Sequence, residues 1–415
     1  MKYLFVLSFL IANYNLSSQK TIFIVNAETQ ERVIGALVYF PSKNERYYTD
    51  LEGSFHLSEG INTTDSFYIR SLGYQFFRGI YSDIKDTIRL VPSHILLKET
   101  IIKPISPQQI LMDAQHRFVE NHCPFPFYQN VFYREELLEK NDIIRFQEME
   151  LKLYQFTWDS LLNMKYPAGS YPEVLSYSRL DDSVKMHQIE QQVGRYVSKK
   201  IHLDQMSLYS YVKGGNSLGR IFSYLLTPSK YNTEISYHYL GQDTVQGEAC
   251  HHIEVVHTID GKLLNSSHIF IEVEHLAVLA FKIYSIDNNA THKLLDFKTK
   301  VGLWFLGLKV QVKQYYCQLL FEKNEQNIYT VSDVQFIMPI DVTKKNTLHT
   351  MTLVQYRVDS KMNKCQIPNG AQIYDKNKTL FSTTRPFQPL GGKLKNYIPL
   401  NKEQQMRLSK KGVEL

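Results

Sequence analysis

Two short patterns in this chain carry residue types that could do chemistry. Gly215-Asn216-Ser217-Leu218-Gly219 spells G-x-S-x-G, the arrangement that sets a nucleophilic serine at the tip of a sharp turn. That chemistry needs a strand-to-helix turn in a parallel α/β sheet, with an acid and a histidine behind it. A helix could follow over Leu218–Leu226, and His251, His252 and His257 lie downstream. His251-His252-Ile253-Glu254 contains H-x-x-E, the spacing of two zinc ligands in a metallocarboxypeptidase. Both patterns have plainer readings. Asn216 or Ser217 can simply cap the helix. The histidine segment alternates as a strand, which puts His251 with Ile253 and Val255 on one face and Glu254 with His252 on the other. No catalytic, cofactor-binding or metal residue is therefore assigned.

The elements around these patterns decide their meaning. Apolar stretches recur every eight to twelve residues at Thr21–Val25, Ala36–Phe40, Ser54–Leu57, Ser66–Ile69, Gln75–Ile80, Thr87–Leu90 and Glu99–Ile102. Turn residues separate them, so residues 19–103 read as a seven-stranded β-sandwich. Asp50-Leu51-Glu52-Gly53 is a turn: the carboxylate accepts backbone N–H bonds and Gly takes positive φ before Phe55 re-enters the sheet. Gly73 does the same before Tyr74.

Residues 104–125 form a joint and a helix. Ser106 caps it, Pro107 suits its first position and Gln109 completes a capping box. Ile110, Leu111, Ala114 and Phe118 line one face, until Asn121 and Pro124 end it. Residues 126–360 read as a larger antiparallel domain. Strand signals lie at Val131–Leu138, at Ile143–Phe156 and from Ile235 onward, with a hairpin turn at Asp260-Gly261. Alternation at Leu308, Val310 and Val312, and at Ile269, Ile271 and Val273, predicts a meander with one wet face. Aromatic strands such as Phe127–Tyr133, covered by the helix from Pro107 and the segment Leu218–Leu226, suit either an apolar cavity or a filled core.

Several resemblances go with this reading. Gly35-Ala36-Leu37-Val38, Thr49–Phe55, Ser71-Leu72-Gly73-Tyr74 and Leu97–Ile102 stand in the order of the carboxypeptidase-like regulatory domain, which the first segment resembles. The resemblance implies a transthyretin-like sandwich without catalytic residues, its structural motif carried by Gly35, Asp50, Gly53, Phe55, Gly73 and Tyr74. In Gram-negative exported proteins such modules precede outer-membrane receptors, but the roughly 310 residues that follow cannot build a 22-stranded barrel with its plug. Phe132-Tyr133-Arg134-Glu135 is similar to a stretch found after the same sandwich in other exported proteins. Tyr237 to Tyr284 resembles periplasmic lipoprotein-carrier half-barrels, which implies a concave apolar face for an acyl chain or a peptide. Asp86-Thr87, Asp159-Ser160, Asp182-Ser183 and Asp243-Thr244 resemble an O-glycosylation pattern of one Gram-negative phylum. Thr87, Ser160, Ser183 and Thr244 are then candidate acceptors; the same dipeptides also open strands and turns.

Composition and termini set the compartment. Of the 415 residues, 43% are hydrophobic and 21% charged, which excludes a disordered chain. Tyr 28 and Phe 23 against Gly 19 and Pro 14 favour sheet. Lys2 precedes the apolar run Tyr3–Ala12, too short for the about 20 residues a membrane span needs. Residues 1–18 therefore read as a signal peptide cleaved near Ser18-Gln19. The first cysteine after that run is as distant as Cys123, so a lipid anchor is not expected. Cys123, Cys250, Cys317 and Cys365 allow three disulfide pairings or none, and no C-x-x-C pair suggests zinc. The net charge of +6 is too small to suggest nucleic acid. From Asp341 onward, though, fourteen Lys and Arg stand against five Asp and Glu. The basic segment 361–415, with Lys393, Lys395, Lys402, Arg407, Lys410 and Lys411, suits plain solubility or peripheral contact with anionic headgroups.

The expectation is a mainly β, exported protein, periplasmic or associated with the outer membrane. Its sandwich is followed by a half-barrel-like antiparallel sheet with a few covering helices. It serves as a non-catalytic binding or envelope-associated module, holding a lipid or a peptide or contacting an envelope protein. A hydrolase and a structural surface protein are the alternatives.

Overall fold

The computed structural model describes residues 20–43, 45–57, 61–93, 106–122, 124–140, 142–155, 170–193, 222, 225–226, 233–285, 307–312, 315–344, 347–359, 362–364, 400 and 402–413. The signal segment, the stretch Glu99–Ile102, Cys123, Ser160, the G-x-S-x-G pattern and Cys365 lie outside the described residues. By packing, the chain divides into two units, Met1–Pro92 with Leu400–Met406 and Ser93–Pro399 with Arg407–Leu415.

Seven strands lie among the described residues of the first unit: β1 (Thr21–Asn26), β2 (Leu37–Phe40), β3 (Glu45–Tyr48), β4 (Ser54–His56), β5 (Ser66–Arg70), β6 (Phe77–Ile80) and β7 (Thr87–Leu90). They form a three-stranded sheet, β4-β1-β7, and a four-stranded sheet, β3-β2-β5-β6. Alternate residues of both sheets meet in one core of Ile22, Ile24, Val38, Phe40, Phe55, Phe67, Ile69, Ile88 and Leu90. β3 is a strand that apolar periodicity does not show. Its Glu-Arg-Tyr-Tyr sequence buries only Tyr47.

The Asp50 turn closes as its chemistry dictates. One carboxylate oxygen accepts the N–H groups of Glu52 and Ser54, each at 2.9 Å, and the other accepts the Ser54 hydroxyl at 2.9 Å. Gly53 then takes φ of 66°. A Cβ there would also lie 2.8 Å from the Arg32 Cβ and 3.2 Å from the Ile24 carbonyl oxygen. Gly53→Ala is therefore expected to cost about 1–3 kcal/mol of this unit's stability in urea unfolding. An unchanged unfolding curve would refute the account of the turn. Gly35 and Gly73 also have positive φ, Phe55 is in the core, and Tyr74 packs against it.

The second unit is one curled antiparallel sheet with few helices. Its strands are β8 (Phe127–Glu139), β9 (Asp142–Gln155), β10 (Ser170–Asp181), β11 (Thr233–Val245), β12 (Glu248–Ile259), β13 (Lys262–Glu272), β14 (Val278–Ser285), β15 (Leu308–Val312), β16 (Tyr315–Lys323), β17 (Tyr329–Lys344), β18 (Thr347–Asp359) and β19 (Asn363–Lys364). The order is β10-β9-β8-β18-β17-β16-β14-β13-β12-β11, with β15 added on β17 and β19 on β8. Asp260 and Gly261, at φ of 51° and 70°, make the tight turn between β12 and β13. Gln246 and Gly247, at 54° and 86°, repeat it between β11 and β12. The described helices of eight residues or more are α1 (Pro107–His122), α2 (Ser183–Val193) and α3 (Lys402–Ser409). No described helix is long and apolar enough to cross a membrane.

The expectation of one wet face fails at the middle of this sheet. Val131 to Leu138 are eight consecutive buried residues of β8. Its charged residues therefore need partners within the protein. They find them on β9, on their own strand and on α3, where Arg407 lies 3.7 Å from Glu136. Arg134 donates to Glu148 at 2.9 and 2.5 Å, and the Tyr133 hydroxyl donates to Glu135 at 2.7 Å.

Candidate functional site

The helix α1 begins where its sequence says it should. Ser106 Oγ accepts the Gln109 N–H at 3.3 Å, but the Gln109 side chain bonds Asp113 at 2.9 Å instead of closing the expected box. Its buried stripe is Ile110, Leu111, Ala114, Phe118 and His122. His122 ends the stripe and anchors the helix. Its Nδ1 meets the Tyr329 carbonyl at 2.9 Å, and its Nε2 accepts the Val278 N–H at 3.1 Å. The ring is thus neutral with its proton on Nδ1, and burial pushes its pKa down to about 3. Phe118 stacks on it at 4.3 Å and Phe321 meets it edge-on at 5.0 Å. Asn121 and Arg117 donate to the carbonyls of His275 and Glu274 in the turn before β14, at 2.9 and 3.5 Å.

One face of the sheet is apolar with a few isolated polar atoms. Cross-strand register puts Tyr237, Val255, Ser267 and Ile283 in one row over β11, β12, β13 and β14. Tyr237 donates to the Leu225 carbonyl at 2.9 Å, and Phe222 touches Phe118 of α1 with ring centres 5.5 Å apart. Chain from the helical side therefore lies on this face. Ile253 and Ile269 flank the row, fully buried. Ser267 is 0% exposed and Asn265 2% exposed, yet the Ser267 hydroxyl and the Asn265 side-chain oxygen have no hydrogen-bond partner.

The opposite face carries a polar row. Register places Glu254, His268, Lys282, Gln318 and Gln335 side by side on β12, β13, β14, β16 and β17. The row continues through Tyr356 to Arg134 and Glu148. At its β12 end the side chains form a relay. Ser266 donates to Glu254 at 2.7 Å and lies 3.4 Å from His268 Nε2. His268 Nδ1 meets His252 Nε2 at 2.9 Å. Burial holds both imidazoles well below the ordinary histidine pKa, with the Lys282 charge adding to it. Lys282, partly buried, has no hydrogen-bond or ion-pair partner among the described residues, and burial pushes its ammonium down to about 8.

Three expectations from the sequence need correction or placement. His251 and Glu254 point to opposite faces of β12: His251 Nδ1 meets the Tyr239 hydroxyl at 3.1 Å, while Glu254 bonds Ser266. One zinc cannot take both, so the metallocarboxypeptidase alternative loses its ligand pair. The serine-hydrolase alternative loses its setting, because the sheet is antiparallel where that chemistry needs parallel α/β units. Cys250 and Cys317 are free thiols, pushed up to about 12 by burial, which removes all three two-bridge pairings.

Glu272, Glu274 and His275 offer ligand atoms within 4.8 Å of one another. Glu272 is already engaged: it accepts the N–H groups of Glu274 at 3.0 Å and His275 at 2.5 Å, shaping the turn that α1 grips. Among the candidate acceptors, Ser183 and Thr244 are exposed and Thr87 is partly buried. Asp182 caps α2 through the Lys185 N–H at 2.9 Å, the plainer role of that dipeptide.

Comparison with known proteins gives neighbours of low similarity. No protein-family model matches the chain, and no curated protein matches it. Among solved structures, a LolA superfamily protein of Nitrosomonas europaea aligns at 10% identity and a TM-score of 0.21, covering 64% of this chain and 96% of its own. A putative outer membrane lipoprotein-sorting protein domain of Vibrio parahaemolyticus aligns at 10% identity and 0.21, covering 62% and 93%. The MucA/MucB complex of Pseudomonas aeruginosa aligns at 9% and 0.17, covering 60% and 93%. None of these matches bears on the carboxypeptidase-like regulatory resemblance.

Proposed function

We propose that this chain is an exported, non-catalytic binding module whose larger sheet holds the apolar chain of a lipid or a peptide on its helix-covered face. The observation that carries the reading is the pair of buried, unpartnered polar atoms on Ser267, in register with Val255 and Ile283, and on Asn265, in register with His257. In a face that only packs, an unsatisfied hydroxyl or amide is a cost that an apolar side chain avoids. A long apolar ligand bearing a hydroxyl or amide supplies what those atoms lack. The first unit then acts as a carboxypeptidase-like regulatory module without chemistry of its own. The working place is the periplasm or the inner face of the outer membrane. There the basic C-terminal segment meets anionic headgroups or an envelope protein. Thr87, Ser160, Ser183 and Thr244 remain the candidate glycan acceptors, and the intact mass of the secreted protein tests them.

The binding itself is tested on protein purified without detergent from its exporting cell. Organic extraction and mass spectrometry should recover a stoichiometric lipid or apolar peptide. Cis-parinaric acid should show saturable fluorescence on the stripped protein, and Ser267→Val should change the competition by polar-substituted chains several-fold while leaving the fold intact. An empty extract together with no saturable probe binding would end the reading.

A further inference from the structure

The first unit turns a face of single charge sign to solvent. A sandwich buries one side of each sheet and ordinarily covers the other with charges of both signs. On the four-stranded sheet β3-β2-β5-β6 the outward residues include three arginines, Arg46, Arg70 and Arg78, and no Asp or Glu. Cross-strand register sets Arg46, Tyr39, Tyr68 and Arg78 in one row over all four strands. Each guanidinium lies against a ring: Arg46 is 5.4 Å from the centre of Tyr39, Arg78 5.6 Å from Tyr68 and Arg70 5.7 Å from Phe76. Tyr68 and Phe76 stack on one another at 5.4 Å. None of the three arginines has an ion-pair partner among the described residues. At the β6 edge the apolar side chains of Phe76 and Ile80 stand on either side of Arg78, 57% and 45% exposed.

These features select the partner. A guanidinium resting on a ring keeps its N–H fork free and held in one orientation, which suits bidentate capture of a phosphate. The rings at the β6 edge are already taken. Tyr68 is flanked by Arg78 and Phe76, and Phe76 by Tyr68 and Arg70. A nucleobase, which binds by stacking on an open ring face, finds none at that pair. A soluble polyanion satisfies the arginines but leaves Phe76 and Ile80 in water. A lipid surface uses both sets, with phosphates at the arginines and the aromatic and aliphatic side chains in the headgroup boundary. We propose that the outer face of this sheet docks on a membrane containing anionic phospholipid. Arg46, Arg70 and Arg78 take headgroup phosphates, and Phe76 and Ile80 insert beside them. The surface belongs to the first unit alone, so it depends neither on the apolar-ligand reading nor on the basic C-terminal segment.

Vesicle flotation of the full mature chain tests the assignment, on phosphatidylethanolamine vesicles with one part in four of phosphatidylglycerol. Binding is expected, and pure phosphatidylcholine vesicles should bind at least about tenfold more weakly. Arg70→Gln with Arg78→Gln should weaken binding by about 25-fold, about fivefold for each basic residue near an anionic surface, and the loss should shrink in high salt. Phe76→Ser with Ile80→Ser should weaken it by about tenfold at low and high salt alike. Lys85→Gln with Arg89→Gln removes the same charge from exposed positions at β7, in the other sheet, and should cost no more than about twofold. All six side chains are exposed, so the variants are expected to fold, and urea unfolding confirms it. Equal losses from the two charge pairs would reduce the binding to net charge and overturn the proposal. Vesicle binding that survives both face variants unchanged would belong to the C-terminal segment, and it too overturns the proposal. So does soluble polyglutamate that binds as tightly as the vesicles, which would make the partner an acidic protein. No vesicle binding by the wild type overturns it outright.

Discussion

At pH 5 the larger sheet unit is expected to be less stable than at pH 7 by about 2 kcal/mol from His122 alone. In the fold this ring uses both nitrogens while neutral, donating to the Tyr329 carbonyl and accepting from the Val278 N–H. A proton on Nε2 would face that N–H in a dry site between Phe118 and Phe321. The folded pKa of about 3 lies far below the ordinary 6.5. As pH falls through 6.5 the unfolded chain therefore takes up the proton first. The stability, complete above that pH, is lost progressively towards pH 3. His252 and His268 shift in the same direction and add to the loss. Urea midpoints followed by far-UV circular dichroism at pH 7, 6 and 5 check this. His122→Gln should start lower at pH 7 and fall less steeply. A wild-type midpoint that does not move between pH 7 and pH 5 would refute it. Protonation of His122 is expected to loosen α1 from β14 and β17, because it removes the acceptor that holds the Val278 N–H.

Local chemistry was legible in the sequence, and cross-strand geometry was not. The start of α1, the Asp50 turn and the Asp260-Gly261 hairpin rest on residues a few positions apart, so the pattern of types suffices. His122 continues the 110, 111, 114, 118 stripe by one helical turn, a spacing signal available in the sequence although histidine is not an apolar residue. β3 escaped because three of its four residues stay partly exposed. The two-sided burial of β8 escaped because Arg134, Glu135 and Glu136 are charged, and charge ordinarily marks an exposed position. The row of Glu254, His268, Lys282, Gln318 and Gln335 could not be read at all. Its members lie on five strands, and only the register of four separate ladders brings them together. The same register, not the H-x-x-E spacing, decides what His252 and Glu254 touch.

Glu148→Gln is expected to destabilise the larger unit by about 3–5 kcal/mol, the cost of leaving a buried arginine without its carboxylate. Arg134 and Glu148 are 1% and 0% exposed, directly opposite one another on β8 and β9. The guanidinium reaches Glu148 at 2.5 and 2.9 Å and lies 5.4 and 5.7 Å from the ring centres of Phe132 and Phe146. No water takes over for a lost carboxylate at that depth. The attraction within the pair, however, only offsets the desolvation of two charges. The double replacement Arg134→Met with Glu148→Leu should accordingly recover most of the loss, or exceed the wild type by about 1–4 kcal/mol. Urea unfolding of the two single variants and the double variant gives the cycle. A double variant as unstable as Glu148→Gln would mean that the pair contributes net stability to the sheet. The recovered stability predicted here would instead mark Arg134 and Glu148 as costly charges kept for the register they impose between β8 and β9: a one-residue slip there would turn Arg134 away from Glu148 and invert every side chain of the strand.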